Sequence, residues 1–168
     1  MPKLIENPEG RLVAEARRQA REGGYSAVTI RSVAAACGLG VGTVYNYFPS
    51  KDALLAAFLL EDWKECLRAI EAAKAARPED SWVLGEICRQ LQAYLAHHRS
   101  IFRDPAAAQA VSPVISRYHG ILREQLAAPL RSFCPNDFHA QFLAEALLTW
   151  TVEGREAAEL LPILEKLL

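Results

Sequence analysis

The residues of this 168-residue chain most able to do chemistry sit in one short stretch, Cys37 to Phe48, which reads CGLGVGTVYNYF. Glycines at 38, 40 and 42 are followed by Tyr45, Asn46, Tyr47 and Phe48. Closely spaced glycines suit phosphate binding, because backbone without Cβ atoms can bring its N–H groups against an anion. A dinucleotide loop, however, needs G-x-G-x-x-G directly after a strand, and a Walker loop needs a Gly-Lys-Ser/Thr ending. Here the helix-forming run VAAAC precedes the glycines, and no lysine follows before Lys51. A buried strand over VGTVYNYF would need partner strands that the rest of the chain does not offer.

Other chemistry is thinly represented. His97 and His98 are adjacent, so on a helix their rings point about 100° apart, and no third ligand stands at a regular spacing. No metal site is expected. The four cysteines, Cys37, Cys66, Cys88 and Cys134, include no CxxC pair and read as core thiols. Carboxylate pairs and nucleophile motifs at diagnostic spacing are missing, so we expect no catalytic residues, no cofactor and no enzyme.

The elements around the glycine stretch are helical, since apolar residues recur every three or four positions and β-branched alternation is nearly absent. Asn7-Pro8 opens a first helix to about Glu22, which Gly23-Gly24 stops, and Thr29 caps a second over IRSVAAAC that Gly38 ends. A third short helix covers Val41 to about Tyr47, and Pro49 holds Phe48 extended. Ser50 caps a long fourth helix reaching about Ala76. Further helices are expected near Ser81–Arg99, Ser100–Ala110, Ser112-Pro113 to Phe133 and Asn136–Glu153, with a short last segment and with Pro105, Pro129 and Pro162 as cuts or kinks. The fold class is all-α.

Helix, tight glycine turn and a short polar-aromatic helix make a helix-turn-helix, in which the second helix enters the major groove. Charge agrees: residues 1–51 hold seven basic side chains against four acidic ones, while the remainder has a surplus of four acidic groups. Thr29 and Arg31 open the second helix, where free N–H groups can hold a phosphate. Lys51, at the start of the fourth helix, would pair with a phosphate. Gly42 would let DNA approach closely, and Val41, Thr43 and Asn46 would face bases, Asn46 as an adenine reader and Val41 against a thymine methyl.

The stretch GGYSAVTIRSVAAACGLGVGTVYNYFPSKDALL resembles the DNA-binding region of TetR-type transcriptional repressors, at Gly24-Tyr25, Thr29, Arg31, Val33-Ala34, Gly38, Gly42-Thr43, Tyr45, Tyr47-Phe48 and Ser50-Lys51-Asp52. The likeness runs from about Leu12 to Leu55. It departs at Gly40-Val41, where relatives commonly carry Ser and then Lys or another polar residue, and at Arg17, Gln19 and Ala20, where they usually carry larger apolar residues; the first helix then either packs more loosely or sets Arg17 and Arg18 near DNA. The resemblance implies a helix-turn-helix domain over residues 1–49, in which Tyr45 and Tyr47 set their hydroxyls on phosphates while Val44 and Phe48 pack inside, and a helical ligand-binding and dimerisation domain over 50–168. Its implied partners are a double-stranded DNA operator, a second copy of the chain and a small, mostly apolar effector that releases the DNA.

Candidate ligand-pocket residues are Trp63, Cys66, Trp82 and Tyr94 in the first part of the second domain and His97, Phe102, Tyr118 and His119 in the next. Residues 136–153 are apolar on two faces, with Phe138 and Phe142 in one row and Leu143, Leu147 and Trp150 in another, so the helix needs two burial partners and supplies a dimer interface. A homodimer expects a palindromic operator. The competing expectation is a small helical enzyme or carrier that keeps a relic DNA-binding head. The sequence starts without a signal pattern and its longest apolar run, Ala53 to Leu60, is too short for a span of roughly 20 residues, so no membrane association and a cytoplasmic location are expected.

Overall fold

The computed structural model describes residues 7–168, with the side chains of all of these except 108 and 110–117. Lys3 and Glu6, counted in the amino-terminal charge, lie outside the described residues. Among the described residues the chain is helical without strands: α1 Pro8–Ala27, α2 Ile30–Cys37, α3 Val41–Tyr47, α4 Lys51–Ala76, α5 Asp80–His97, α6 Arg99–Phe102, α7 Pro105–Leu130, α8 Asp137–Val152, α9 Ala157–Leu164 and a final 3-10 turn Glu165–Leu167. None of these helices is long and apolar enough to cross a membrane.

Local chemistry sets the first boundaries where the sequence expects them. The Asn7 side chain accepts the Gly10 N–H at 3.1 Å, and Pro8 occupies the first turn, where a missing N–H leaves nothing unpaired. Regular α1 geometry breaks at Gly24, whose φ of 75° favours glycine. At the other end of α2, Gly38 takes φ 67° and ψ 31°; Leu39 N–H reaches the Ala34 carbonyl at 2.9 Å and Gly38 N–H the Ala35 carbonyl at 3.1 Å. That pair of bonds is the Schellman closure of a helix C-terminus. Phe48, before Pro49, is extended as expected, and the Ser50 hydroxyl accepts the Ala53 N–H at 3.1 Å.

Further along, the boundaries differ from expectation. Residues 100–110 do not form a helix of their own: the short α6 ends at Phe102, Asp104 accepts the N–H groups of Ala106 and Ala107, and Pro105 opens α7. The expected start at Ser112-Pro113 is absent, because α7 runs through to Leu130. An internal proline removes one hydrogen bond and crowds an earlier carbonyl, at about 3 kcal/mol. The helix carries two such residues, Pro113 and Pro129, and its later part buries Leu126, Ala127 and Leu130. Pro162 likewise lies inside α9 rather than ending it.

The chain divides into two compact units. The first comprises residues 1–61 and 97–114, the second residues 62–96 and 115–168. In the first, Leu12, Val13 and Ala16 of α1, Val33 of α2, Val44 of α3 and Leu54, Leu55 and Phe58 of α4 form one core, which also takes in Ile101 and Ala107. Ser100 fastens this later segment by donating its hydroxyl to the Ala20 carbonyl at 3.0 Å. In the second unit, Ile70, Leu84, Ile87, Leu126, Leu130, Leu143 and Leu147 are fully buried around Trp63.

Gly38→Ala is expected to destabilise the protein by about 1 kcal/mol, since a Cβ disfavours the left-handed backbone there even though nothing lies within 4 Å of it. Urea unfolding followed by circular dichroism measures this; an unchanged midpoint would show that the turn does not need glycine.

Candidate nucleic-acid interface

The third helix is presented by what lies beneath it. Val44 is completely buried and Phe48 nearly so, which pins one side of α3 to the core of the first unit. The opposite side is open: Gly42, Tyr45, Asn46 and Tyr47 are exposed, with Tyr45 at 52% and Tyr47 at 42% of full accessibility, and Val41 at 36%. Thr43 is half-buried. A Cβ built on Gly42 meets nothing within 4 Å, so no neighbour in the chain requires glycine at that position. Gly40 starts the helix without a side-chain cap.

The second helix presents its amino end on the same unit. Thr29 accepts the Ser32 N–H at 2.9 Å, and Ser32 Oγ accepts the Thr29 N–H at 3.0 Å, a reciprocal box that satisfies two orphan donors. Sequence reading named Thr29 as the cap and missed Ser32, because the usual partner three residues on is Glu or Gln. Ser32 Oγ also donates to Gln19 Oε1 at 2.6 Å, tying this end to α1. Gln19 in turn donates its amide to Glu15 Oε1 at 2.8 Å. Arg31 is exposed beside it.

Lys51 stands in a more occupied setting than expected. Its ammonium donates to the Tyr25 carbonyl at 2.5 Å and lies 3.5 Å from the centroid of the Tyr25 ring. Burial pushes its pKa down, although Asp52 and Asp104 pull it up. Tyr25 in turn donates its hydroxyl to Asp52 at 2.9 Å; burial and that carboxylate push the phenol pKa up. Three N–H bonds are available to an ammonium, so one is committed to the fold. Arg17 and Arg18 are engaged by acids of the same unit, Arg17 by Glu61 at 2.8 Å and Arg18 by Glu15 and Glu22.

The residues expected to line a ligand pocket are not brought together as a set. Trp63 and Tyr94 meet edge to face at 5.6 Å in the second unit, where Cys66 is buried and its thiol pushed up to about 11 by burial and by Glu86. Trp63 also donates its indole N–H to Gln125 at 2.8 Å. Trp82 is instead exposed, with the Arg77 guanidinium 4.7 Å from its ring centroid. Phe102 packs against the core of the first unit, and His97 is exposed there with its ring 4.9 Å from that of His98. Tyr118 is half-buried, and His119 pairs with Glu145 at 2.9 Å.

The α8 helix does have two apolar faces, but they divide differently from the expected interface. Leu143 and Leu147 are fully buried in the core of the second unit, so their side of α8 is already covered within the chain. Phe138, Phe142 and Trp150 face outward, 74%, 52% and 48% exposed. Trp150 sits at the border of the two faces, about 20° around the helix from Leu143 and about 80° from Phe142, and it is nonetheless exposed.

Residues 12–58 match the family described as "Bacterial regulatory proteins, tetR family". A 95-residue segment is 32% identical to the HTH-type transcriptional repressor KstR of Rhodococcus jostii (strain RHA1), covering 55% of this chain and 40% of the relative, so the chain spans less than half the length of that curated protein. Among solved structures, a TetR-family transcriptional regulator from Pectobacterium atrosepticum is 22% identical with a TM-score of 0.72, over 100% of this chain and 95% of that one. The multidrug binding protein EbrR, in complex with imidazole, is 20% identical with a TM-score of 0.67, over 98% and 91%. RolR with resorcinol is 21% identical with a TM-score of 0.63, over 95% and 84%. At these identities the solved structures establish the fold. The helix-turn-helix geometry of α2 and α3 lies within residues 12–58, the segment in which this chain is similar to the tetR family of bacterial regulatory proteins.

Proposed function

We propose that this protein is a transcriptional repressor that binds a palindromic DNA operator as a homodimer and is released by a small, mostly apolar ligand. One observation carries the reading: a polar-aromatic face on α3, held outward by the buried Val44 and Phe48 beneath it. In this reading residues 1–49 read DNA and residues 50–168 serve ligand and dimer. Tyr45 and Tyr47 donate to phosphates, Arg31 and the end of α2 at Thr29 hold another, and Lys51 adds its remaining N–H groups. The α3 helix lies in the major groove with Val41, Gly42, Thr43 and Asn46 against the bases.

The outward row Phe138, Phe142 and Trp150 supports the dimer, because three large apolar side chains on one helix are otherwise left in water. The aromatic pair Trp63–Tyr94 beside Cys66 supports an apolar ligand in the second unit. EbrR and RolR, similar in fold, have been solved with small ring compounds, imidazole and resorcinol.

Electrophoretic mobility shift with a random duplex pool tests the reading; an absence of sequence-selective binding would overturn it. Two protomers contributing Arg31 and Lys51 release counterions at four phosphates, so log K against log salt should have a slope of at least about −3.6. Affinity that does not change with salt would remove both residues from the contact. Gly42→Ala is expected to leave stability unchanged or raise it by up to about 1 kcal/mol, while DNA affinity falls by about tenfold, or ~1.4 kcal/mol. Equal affinity in mobility shift would show that DNA does not come close at Gly42. Phe142→Asp should convert the dimer to monomer in sedimentation while circular dichroism stays the same; a surviving dimer would place the interface elsewhere.

A further inference from the structure

We infer that the bases read by α3 are A·T pairs, with an adenine opposite Asn46 at the centre of each operator half-site. This deepens the proposed function and rests on it. Val44 fixes the inner side, and residues two positions before and after it, Gly42 and Asn46, point roughly 160° away from it around the helix. They are four residues apart, so they form one row on the outermost line of the helix. Gly42 contributes no side chain and has open space around it, which leaves the Asn46 amide as the hydrogen-bonding group at the middle of the face. Tyr45 and Tyr47 stand on either side, each a single hydroxyl on a rigid ring.

The helix carries no charged residue in any of its seven positions. Guanine is read most often by Arg or Lys, through O6 and N7, and α3 has neither. A carboxamide instead pairs with adenine, accepting from the N6 amino group and donating to N7. The partner of adenine adds a methyl group, and Val41, partly exposed at the start of α3, offers an apolar surface of the kind thymine methyls contact. Thr43 is half-buried and its hydroxyl can face either kind of pair, so it does not select against this reading. The uncapped start at Gly40 and the bare Gly42 also remove the bulk that would hold the helix away from the base edges.

The test uses the full-length protein and duplexes selected from a random pool. A deoxyadenosine analogue lacking N7 is then scanned through every adenine of the half-site, and deoxyuridine through every thymidine. The expected result is one adenine per half-site at which the analogue weakens binding by about tenfold, as loss of one bond of a bidentate pair implies. Asn46→Ala should bind the parent duplex less well and be indifferent to the analogue at that same adenine. Val41→Gly should lose its response to deoxyuridine at the neighbouring position. Selected half-sites with G·C at the positions that Asn46→Ala relaxes, or a wild-type protein indifferent to the analogue at every adenine, would overturn the inference while leaving selective DNA binding intact. A pool that yields no consensus would instead overturn the regulator reading and this one with it.

Discussion

A seven-residue helix has too few internal hydrogen bonds to persist alone in water, so α3 exists because Val44 and Phe48 are buried under it. Those two side chains contribute roughly 1.5–3 kcal/mol each when removed from water, against a helix whose own bonds barely offset its nucleation. Gly38 delivers the chain to that seat by closing α2 in two bonds and turning it through a left-handed residue. The outward face of α3 is then whatever remains, and the sequence leaves there a glycine, an amide and two phenols.

Electrostatics divides the same unit into parts that hold it together and parts that face outward. Much of the positive charge on the described amino-terminal residues is already engaged by groups of the same unit. Arg11 donates to the Cys37 carbonyl at the end of α2, Arg17 and Arg18 meet glutamates, and Lys51 meets the Tyr25 carbonyl. Exposed pairs of this kind contribute less than about 1 kcal/mol apiece. Their larger effect is on geometry, because they fix where α1, α2 and the start of α4 stand beneath the exposed helix. What α3 itself turns outward is uncharged: the phenols of Tyr45 and Tyr47 and the amide of Asn46.

The first three helices and the glycine turn were legible in the sequence because their signals are local: a cap, a proline, a left-handed glycine, a run of apolar residues at helical spacing. Val44 and Phe48 were legible as core for the same reason. What failed was long-range. Nothing near Ser112-Pro113 says that the surrounding helix packs well enough to carry a proline, and nothing in residues 97–102 says which core they join. Aromatic residue type suggested that Trp82 and Phe102 share a pocket with Trp63, whereas one lies under an arginine and the other joins the first unit. On α8 the apolar positions were visible, but the side that Leu143 and Leu147 take depends on partners far along the chain.

The first unit is interrupted in sequence, since Ile101 and Ala107 complete a core begun by residues 12–59 and Ser100 ties them to α1. A fragment ending near residue 61 would thus carry an opened core with its apolar floor uncovered. Recombination that exchanges such heads between related chains has to carry the later strip along, or match its shape. The boundary at which this protein can be cut and rejoined is therefore set by two separated stretches of chain, and evolutionary shuffling of the head alone is constrained accordingly.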